Sequence, residues 1–201
     1  MTRTAGITRT TKETSIRMKL NLDGEGETRL NYPIGFMAHM LNTFARHGLF
    51  DLEITAQGDL EVDQHHLVED TGIVLGQCFA QALGERRGIR RNGSCLFPMD
   101  ETLARAAVDI SGRPFLFFAA GLSGGPLVSG GASFQTDTVE DFWQGFVTAS
   151  GITCHLEALR GRSDHHRIEA LFKAAARALR EAAEADPRAP GLIPSTKGVL
   201  V

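Results

Sequence analysis

The chain has 201 residues, enough to bury a sizeable core in one domain or in two fused halves, and its formal net charge is −3 at pH 7. This charge excludes the basic surface that nucleic acid requires, and the longest apolar run, residues 115–122, is too short to cross a bilayer. The first 15 residues lack the apolar segment of a secretory signal, and three cysteines without a CxxC pair favour a reducing compartment. We therefore expect a cytoplasmic protein with no nucleic-acid or membrane partner.

The first half of the chain carries strand and helix patterns in turn. Apolar and polar residues alternate loosely up to residue 32, as in half-buried strands, and a polar turn interrupts them. Apolar residues at helical spacing follow, and Gly48 is a typical helix terminator. The predicted elements are two strands within 6–32 joined by a turn at 23–26, a helix over 35–47, a strand over 49–56, a polar loop over 58–64 and a helix from 65 to about 83.

The second half repeats this order. Gly and Pro mark a turn between its first two strands, and the glycine-rich stretch that follows is typical of a mobile loop. The last helix has a continuous apolar stripe, which indicates a core-facing helix. The predicted elements are a strand containing Leu103 and Ala107, a turn at 111–114, a strand over 115–120, a mobile loop over 121–131, a helix over 136–149, a strand over 152–159 and a final helix that starts near 164.

A five-residue pattern, HHxxE, occurs at 65–69 and again at 165–169, each time at the start of a predicted helix. On a helix the two histidines lie four and three residues from the glutamate, so the three side chains share one turn. Imidazole and carboxylate together suit a divalent transition metal such as Zn, Mn or Fe. One copy would indicate solvated surface residues, but two copies use four of the seven histidines and favour metal binding.

Aligning the two copies extends the repeat towards the N-terminus. His39 lies 26 positions before His65 (65 − 39), and Asp141 lies 24 positions before His165 (165 − 141). A lone histidine beside Met40 is more often structural, but its place in the repeat makes His39 a predicted ligand. We therefore expect two similar metal sites, each with one ligand from the helix upstream of its motif.

The repeat also predicts the fold. We expect an α+β domain built from duplicated strand, strand, helix, strand, helix halves, with the helices packed on one face of antiparallel sheets, as in a ribosomal protein S5 domain 2-like fold. The predicted halves are about 1–92 and 93–185. A tail over 186–201 follows them.

The tail and two arginines suit an anion. Ser195, Thr196 and Lys197 offer hydroxyls, main-chain amides and a positive charge, although a solvated tail is the more common role of such a segment. Arg91 and Arg113 could complete a phosphate clamp, because guanidinium binds phosphate through paired hydrogen bonds; ordinary surface arginines are the alternative.

Short blocks along nearly the whole chain resemble the imidazoleglycerol-phosphate dehydratases, enzymes of histidine biosynthesis. Each block alone is unspecific, and their occurrence in this order is specific. The blocks are TKET at 11–14, HML at 39–41, RHGLFDL at 46–52, GDL at 58–60, HHLVEDTG at 65–72, PMDE at 98–101, DISGRP at 109–114, the second HHxxE with FK at 172–173, and PSTKGVL at 194–200.

The resemblance implies a hydro-lyase that converts D-erythro-imidazole glycerol phosphate into imidazole acetol phosphate and water through a metal-bound imidazolate. It implies two Mn(II) ions per active site and an octahedral 24-subunit shell of trimers with active sites between subunits. The implied metal ligands are His39, His65, His66, Glu69, His165, His166 and Glu169. The implied substrate and phosphate contacts are Glu13, Arg91, Arg113, Ser195, Thr196 and Lys197.

The catalytic carboxylates expected from this resemblance are Glu169, Glu13 and Glu69, with the first two as alternatives for the general base. The pattern alone does not separate Glu13, Asp100 and Glu101, which could do acid–base work or cap strands. Two competing interpretations are a non-catalytic oligomer assembled by metal and a metal hydrolase of a phosphorylated small molecule. Nothing in the sequence favours the hydrolase.

The chain departs from the family pattern at a few positions. Asp141 replaces a histidine ligand of many members, and a carboxylate oxygen can also bind Mn(II). Ala38 and Thr43 replace an Asp and a Gln, and the glycine-rich segment replaces a more charged one. We expect these changes to alter substrate contacts and to keep the site.

Overall fold

The computed structural model describes residues 3–129 and 132–200. The first half contains β1 (Thr4–Thr10), β2 (Thr14–Asn21), β3 (Thr28–Asn31), α1 (Gly35–Gly48), β4 (Asp51–Gly58) and α2 (His65–Leu83). The second half contains β5 (Asn92–Met99), β6 (Thr102–Asp109), β7 (Phe115–Ala119), β8 (Leu127–Ser129), β9 (Ala132–Phe134), α3 (Thr138–Ser150), β10 (Thr153–Arg160) and α4 (Asp164–Ala183). Across these ranges, no helix has the length and apolar character needed to span a membrane.

The two halves have the same sheet topology, which confirms the predicted duplicated α+β fold. One sheet has the order β1-β2-β4-β3, and the other has the order β5-β6-β10-β7. The other pairs in each sheet are antiparallel, whereas β3 pairs with β4, and β7 with β10, in parallel at one edge. These edge pairs are parallel because a helix, α1 or α3, connects their strands as a crossover.

In each half, three strands of the four-stranded sheet come before the first helix, where the sequence predicted two. Because the loose alternation before residue 32 runs through the 11–13 turn, β1 was not separated from β2. The strand β5 was missed because Gly93 and Pro98 interrupt its pattern. The predicted loop over 121–131 is wrong at 127–129, which form β8 and pair with β9. Residues 130 and 131 lie outside the described ranges.

The four helices lie between the two sheets. Helices α1 and α2 pack on the first sheet, and α3 and α4 on the second. The helices of the first sheet contact the helices of the second sheet, α2 against α3 and α1 against α4. Each contact therefore pairs a helix of one half with a helix of the other.

Glycines allow α2 and α3 to meet at their backbones. A Cβ atom on Gly72 would overlap the carbonyl oxygen of Phe142, and a Cβ on Gly145 would lie 2.9 Å from the carbonyl oxygen of Glu69. Only a residue without a side chain fits such an approach. This contact brings the start of α2 beside the start of α3.

We expect Gly72→Ala to lower the free energy of unfolding by about 3 kcal/mol, because the added methyl group forces the two backbones apart. Urea denaturation would measure the change. Gly35→Ala is the matched control, since Gly35 also lies in a helix and a Cβ there meets nothing within 4 Å. Equal stability of the two variants would contradict a backbone contact between α2 and α3.

Candidate active site

Helices α1 and α4 bring together a group of three potential ligands, which we call the His39 cluster: His39, His165 and Glu169. The Oε2 atom of Glu169 lies 3.3 Å from Nε2 of His39 and 3.1 Å from Nε2 of His165. One nitrogen or oxygen atom from each residue lies within 4.8 Å of the other two. Two imidazoles and a carboxylate that converge in this way form a donor set for a divalent transition metal.

The Glu169 carboxylate is the buried member of the His39 cluster, with 8 % of its surface exposed. Its second oxygen, Oε1, lies 2.8 Å from Nζ of Lys173, one turn further along α4. Burial raises the pKa of Glu169, but Lys173 and His39 together lower it further, so the net pKa lies below the usual value. The carboxylate is therefore ionised at neutral pH and presents Oε2 to the two histidines.

A second group, the His65 cluster, consists of His65 and Glu69 on α2 and Asp141 on α3. Nδ1 of His65 lies 3.2 Å from Oδ2 of Asp141, and Nε2 of the same ring lies 3.9 Å from Oε2 of Glu69. The two carboxylates approach opposite nitrogens of the His65 ring. All three side chains are 40 to 45 % exposed. The two clusters therefore differ chiefly in the glutamate, whose side chain is 45 % exposed in the His65 cluster and 10 % exposed in the His39 cluster.

Both clusters cross between the halves of the chain. His39 comes from the first half and meets the second HHxxE motif, whereas Asp141 comes from the second half and meets the first. The alignment of the repeats associated each upstream residue with the motif of its own half. In the structure, the contacts between helices of different halves place each upstream residue beside the motif of the other half. The spacing of residues along the chain does not predict this arrangement.

The second histidine of each motif is held by a separate carboxylate. Nδ1 of His66 lies 3.0 Å from Oδ2 of Asp59, and Nδ1 of His166 lies 2.8 Å from Oε2 of Glu101. The hydrogen bond to Asp59 raises the pKa of His66, and the bond from His166 lowers the pKa of Glu101 to about 2. A carboxylate acceptor places the proton on Nδ1, which leaves Nε2 free as a ligand atom.

Asp59 was not among the predicted site residues, and Glu101 was one of three carboxylates that the pattern did not separate. Within the described ranges, neither His66 nor His166 belongs to the convergent group of its own chain. Asp59 could have been considered because it is an acidic residue in the polar loop that precedes the first motif. For Glu101 the signal was weaker, because the β5–β6 turn lies 65 residues from His166 (166 − 101).

Glu13 lies in the β1–β2 turn, the position in the first half that corresponds to Glu101 in the β5–β6 turn. Its carbonyl oxygen accepts a hydrogen bond of 3.0 Å from the main-chain N–H of Asp59. The side chain is exposed, and its charge contributes to the raised pKa of His66. Glu13 is thus an exposed carboxylate near His66 of the first motif.

Of the predicted phosphate residues, Arg91 and Arg113 lie beside Asp109, and Arg91 also contacts the tail at Pro194. Arg91 donates hydrogen bonds of 2.7 and 3.0 Å to the two carboxylate oxygens of Asp109, and its Nη1 donates to the carbonyl oxygen of Pro194 at 2.7 Å. Arg113 lies 3.9 Å from the same carboxylate and is largely exposed. Ser195, Thr196 and Lys197 follow Pro194 directly, in a turn closed by a 3.1 Å bond from Gly198 N to Ser195 O.

Comparisons with known proteins agree with this architecture. The family model described as imidazoleglycerol-phosphate dehydratase matches residues 33–179. A dehydratase of that name from Gluconacetobacter diazotrophicus is 52 % identical over 98 % of both chains. Its Lacticaseibacillus casei counterpart is 55 % identical over 98 % of this chain and 100 % of the relative.

Two solved structures share the fold. The imidazoleglycerol-phosphate dehydratase of Staphylococcus aureus superposes with a TM-score of 0.79 at 40 % identity, over 90 % of this chain and 99 % of that one. The enzyme of Pyrococcus furiosus gives 0.79 at 34 % identity, over 96 % and 100 %. The fold, the His–Glu group and these matches define a hydro-lyase. The chain belongs to the imidazoleglycerol-phosphate dehydratase family, which is metal-dependent and carries out a dehydration step of histidine biosynthesis, and the resemblance found in the sequence is confirmed.

We expect Glu169→Gln to lower the free energy of unfolding of the chelated protein by about 2 kcal/mol at pH 7, because it leaves the Lys173 charge unpaired in a largely buried site. Since folding lowers the pKa of Glu169, its stabilisation is present above the unfolded value of 4.5 and is lost as the pH falls through the folded value. Thermal denaturation from pH 7 to pH 3 should show the difference between the proteins shrink below pH 4.5.

The matched control for this measurement is Glu53→Gln. Glu53 also faces a lysine, Lys19, at 3.6 Å, but both side chains are exposed. Its change should cost less than about 0.5 kcal/mol at any of these pH values. A loss in Glu169→Gln that is as small as in the control would mean that the Lys173 pair contributes nothing to stability.

Proposed function

We propose that this chain dehydrates D-erythro-imidazole glycerol phosphate to imidazole acetol phosphate and water, with two Mn(II) ions per active site. The His39 cluster carries the proposal, because two imidazole nitrogens and an ionised carboxylate oxygen already lie within 4.8 Å of one another. Family membership supplies the reaction class. The cluster supplies a reason why this chain can hold the metal.

The donor atoms fit a metal of this kind. Carboxylate oxygen suits Mn(II), and neutral imidazole binds most first-row metals. The proposed ligands are His39, His65, His66, Glu69, His165, His166 and Glu169, with Asp141 as an additional oxygen donor. Asp141 reaches to 3.2 Å from His65, so the shorter side chain still lies at the cluster.

Neighbouring copies would complete each site. The Nδ1 atoms of His66 and His166 bind carboxylates of their own chain, and their rings are one third exposed. Their free Nε2 atoms are therefore available to a metal held mainly by another subunit. We propose on this basis the trimers and the octahedral shell that the family resemblance implies, with active sites between subunits.

The substrate contacts follow from charge and position. The proposed phosphate site consists of Arg91, Arg113, Ser195, Thr196 and Lys197. Glu13 would contact the glycerol hydroxyls, because it is exposed on the side of the first motif where His66 lies. A single phosphate dianion would be balanced by two guanidinium groups.

The reaction needs a base for a proton on the carbon beside the imidazole ring. A bound metal supplies Lewis-acid stabilisation of negative charge on that ring. Glu169 or Glu13 takes the carbon proton, and the resulting carboxylic acid returns it to the leaving hydroxyl, which departs as water. The enol that remains tautomerises to the ketone.

The test is ketone formation by the purified protein loaded with Mn(II) and given imidazole glycerol phosphate. We expect Glu169→Gln to lower kcat by at least about 100-fold and to reduce the bound manganese, because the residue is both ligand and candidate base. Glu13→Gln should lower turnover while manganese content stays unchanged. Glu53→Gln is the control for a glutamate on the exposed face of the first sheet.

Absence of ketone from the metal-loaded wild-type protein would overturn the proposed reaction. Full activity of Glu169→Gln would exclude that residue as the base and leave Glu13. If a chelator dissociates an oligomer that never shows turnover, the metal serves assembly alone. Phosphate release in place of ketone formation would instead identify a hydrolase.

A further inference from the structure

The duplication relates Arg91 to Arg3 in the first half. Each arginine directly precedes the first strand of its half, and its carbonyl oxygen accepts a 3.0 Å hydrogen bond from the residue that follows the second strand, Leu22 or Ile110. The strand registers agree, since Thr4 pairs with Asn21 and Asn92 pairs with Asp109. The two arginines are therefore equivalent positions of the repeat.

Both arginines bind an aspartate and a carbonyl oxygen, which makes them a natural comparison. Arg3 donates to both carboxylate oxygens of Asp23, and its Nη1 donates to the carbonyl oxygen of Ala183. Arg91 makes the same kind of contacts with Asp109 and Pro194. Hydrogen bonds to an aspartate and a carbonyl oxygen therefore do not by themselves identify an anion-binding arginine.

The surroundings of the two arginines differ in charge. Arg113 lies four residues after Asp109, and Glu25 occupies the same offset after Asn21 in the first half (113 − 109 = 25 − 21). A second cation, Arg113, therefore lies beside the carboxylate that Arg91 binds, whereas the first half carries a glutamate at the corresponding offset of the sequence. Of the two arginines, Arg91 has the surroundings that suit a dianion.

The main chain of Arg91 is held in an unusual conformation. Its φ angle is 72°, in the left-handed region, which costs about 1 kcal/mol for a residue with a side chain. Its N–H donates to Ala182 O at 2.8 Å, and its carbonyl accepts from Ile110, so α4 and β6 both fix it. The preceding residues hold the tail, since Gly88 N donates to Leu192 O at 2.7 Å.

The donors of Arg91 that remain free define where an anion can bind. A guanidinium group has five N–H donors, and Asp109 and Pro194 take three of them. Among the described residues, one N–H on Nη1 and one on Nη2 have no partner, and guanidinium N–H groups are donors that suit phosphate. Asp109 thus orients the guanidinium while leaving these two donors open.

We propose that Asp109 is a positioning residue for substrate phosphate: it sets the orientation of Arg91, lies within 3.9 Å of Arg113, and through Arg91 ties the tail at Pro194 to the end of β6. This inference rests on the proposed function, because it concerns the same phosphate site. A carboxylate beside an anion site opposes the anion by charge. Its benefit must therefore come from fixing the arginines and the tail.

The experiment measures kcat, KM and inhibition by inorganic phosphate in Mn(II)-loaded Asp109→Asn. We expect KM for imidazole glycerol phosphate and the inhibition constant of phosphate to rise together by about tenfold, with kcat within about twofold, because the contact serves binding of a remote group. Asp23→Asn is the matched control: it removes the carboxylate that Arg3 binds and should leave all three quantities within about twofold.

Opposite results would overturn the inference. If KM and phosphate inhibition stay unchanged, or if kcat alone falls, Asp109 does not position a phosphate site. Should Asp109→Asn fail to fold, Asp109→Glu keeps the charge and displaces the carboxylate by one methylene. A folded Asp109→Glu protein should show the same rise in both constants, by about threefold, and unchanged constants would reject the role.

Failure of this inference can be told apart from failure of the proposed function. Wild-type protein that forms no ketone removes the proposed function itself. Wild-type protein that turns over, with Arg91→Lys raising KM and Asp109→Asn leaving it unchanged, keeps the function and rejects the role of Asp109 alone. A rise in KM for both variants supports both conclusions.

Discussion

The contact between helices of opposite halves is the constraint on which the rest of the structure depends. Glycines at 72 and 145 let α2 and α3 touch at their backbones, and α1 packs on α4 in the second interlayer contact. Because each HHxxE motif starts one of these helices, the contacts decide which upstream residue reaches it. A small change in helix separation would therefore move potential ligand atoms in both clusters.

Carboxylates arrange the histidines around these contacts. Glu169 binds two rings and Lys173, while Asp59 and Glu101 each fix one further histidine through Nδ1. Burying these carboxylates costs little free energy, because each one has a hydrogen-bonded partner. The result is two rings that converge on one carboxylate and two that present a free Nε2 to the surface.

The halves have kept one topology while their turns have diverged. The β5–β6 turn uses Glu101 to hold His166, whereas the β1–β2 turn leaves Glu13 exposed and Asp59 holds His66 instead. Likewise Arg91 has a second arginine nearby, and Arg3 has a glutamate at the equivalent offset. Duplication thus supplied two copies of each position, and the charged groups around the copies now differ.

The sequence by itself determined the helices, the duplicated α+β class, the HHxxE motifs and the family, because these depend on periodicity, spacing and short blocks within about 20 residues. Pairing depends on contacts between distant residues, so the tertiary structure alone separated β1 from β2, revealed β5 and set the parallel pairing of β3 and β7. It also decided that His39 meets Glu169, 130 residues away, that Asp141 meets His65, and that Asp59 and Asp109 hold His66 and Arg91. Local sequence patterns cannot predict these contacts, because they depend on how distant parts of the chain pack together.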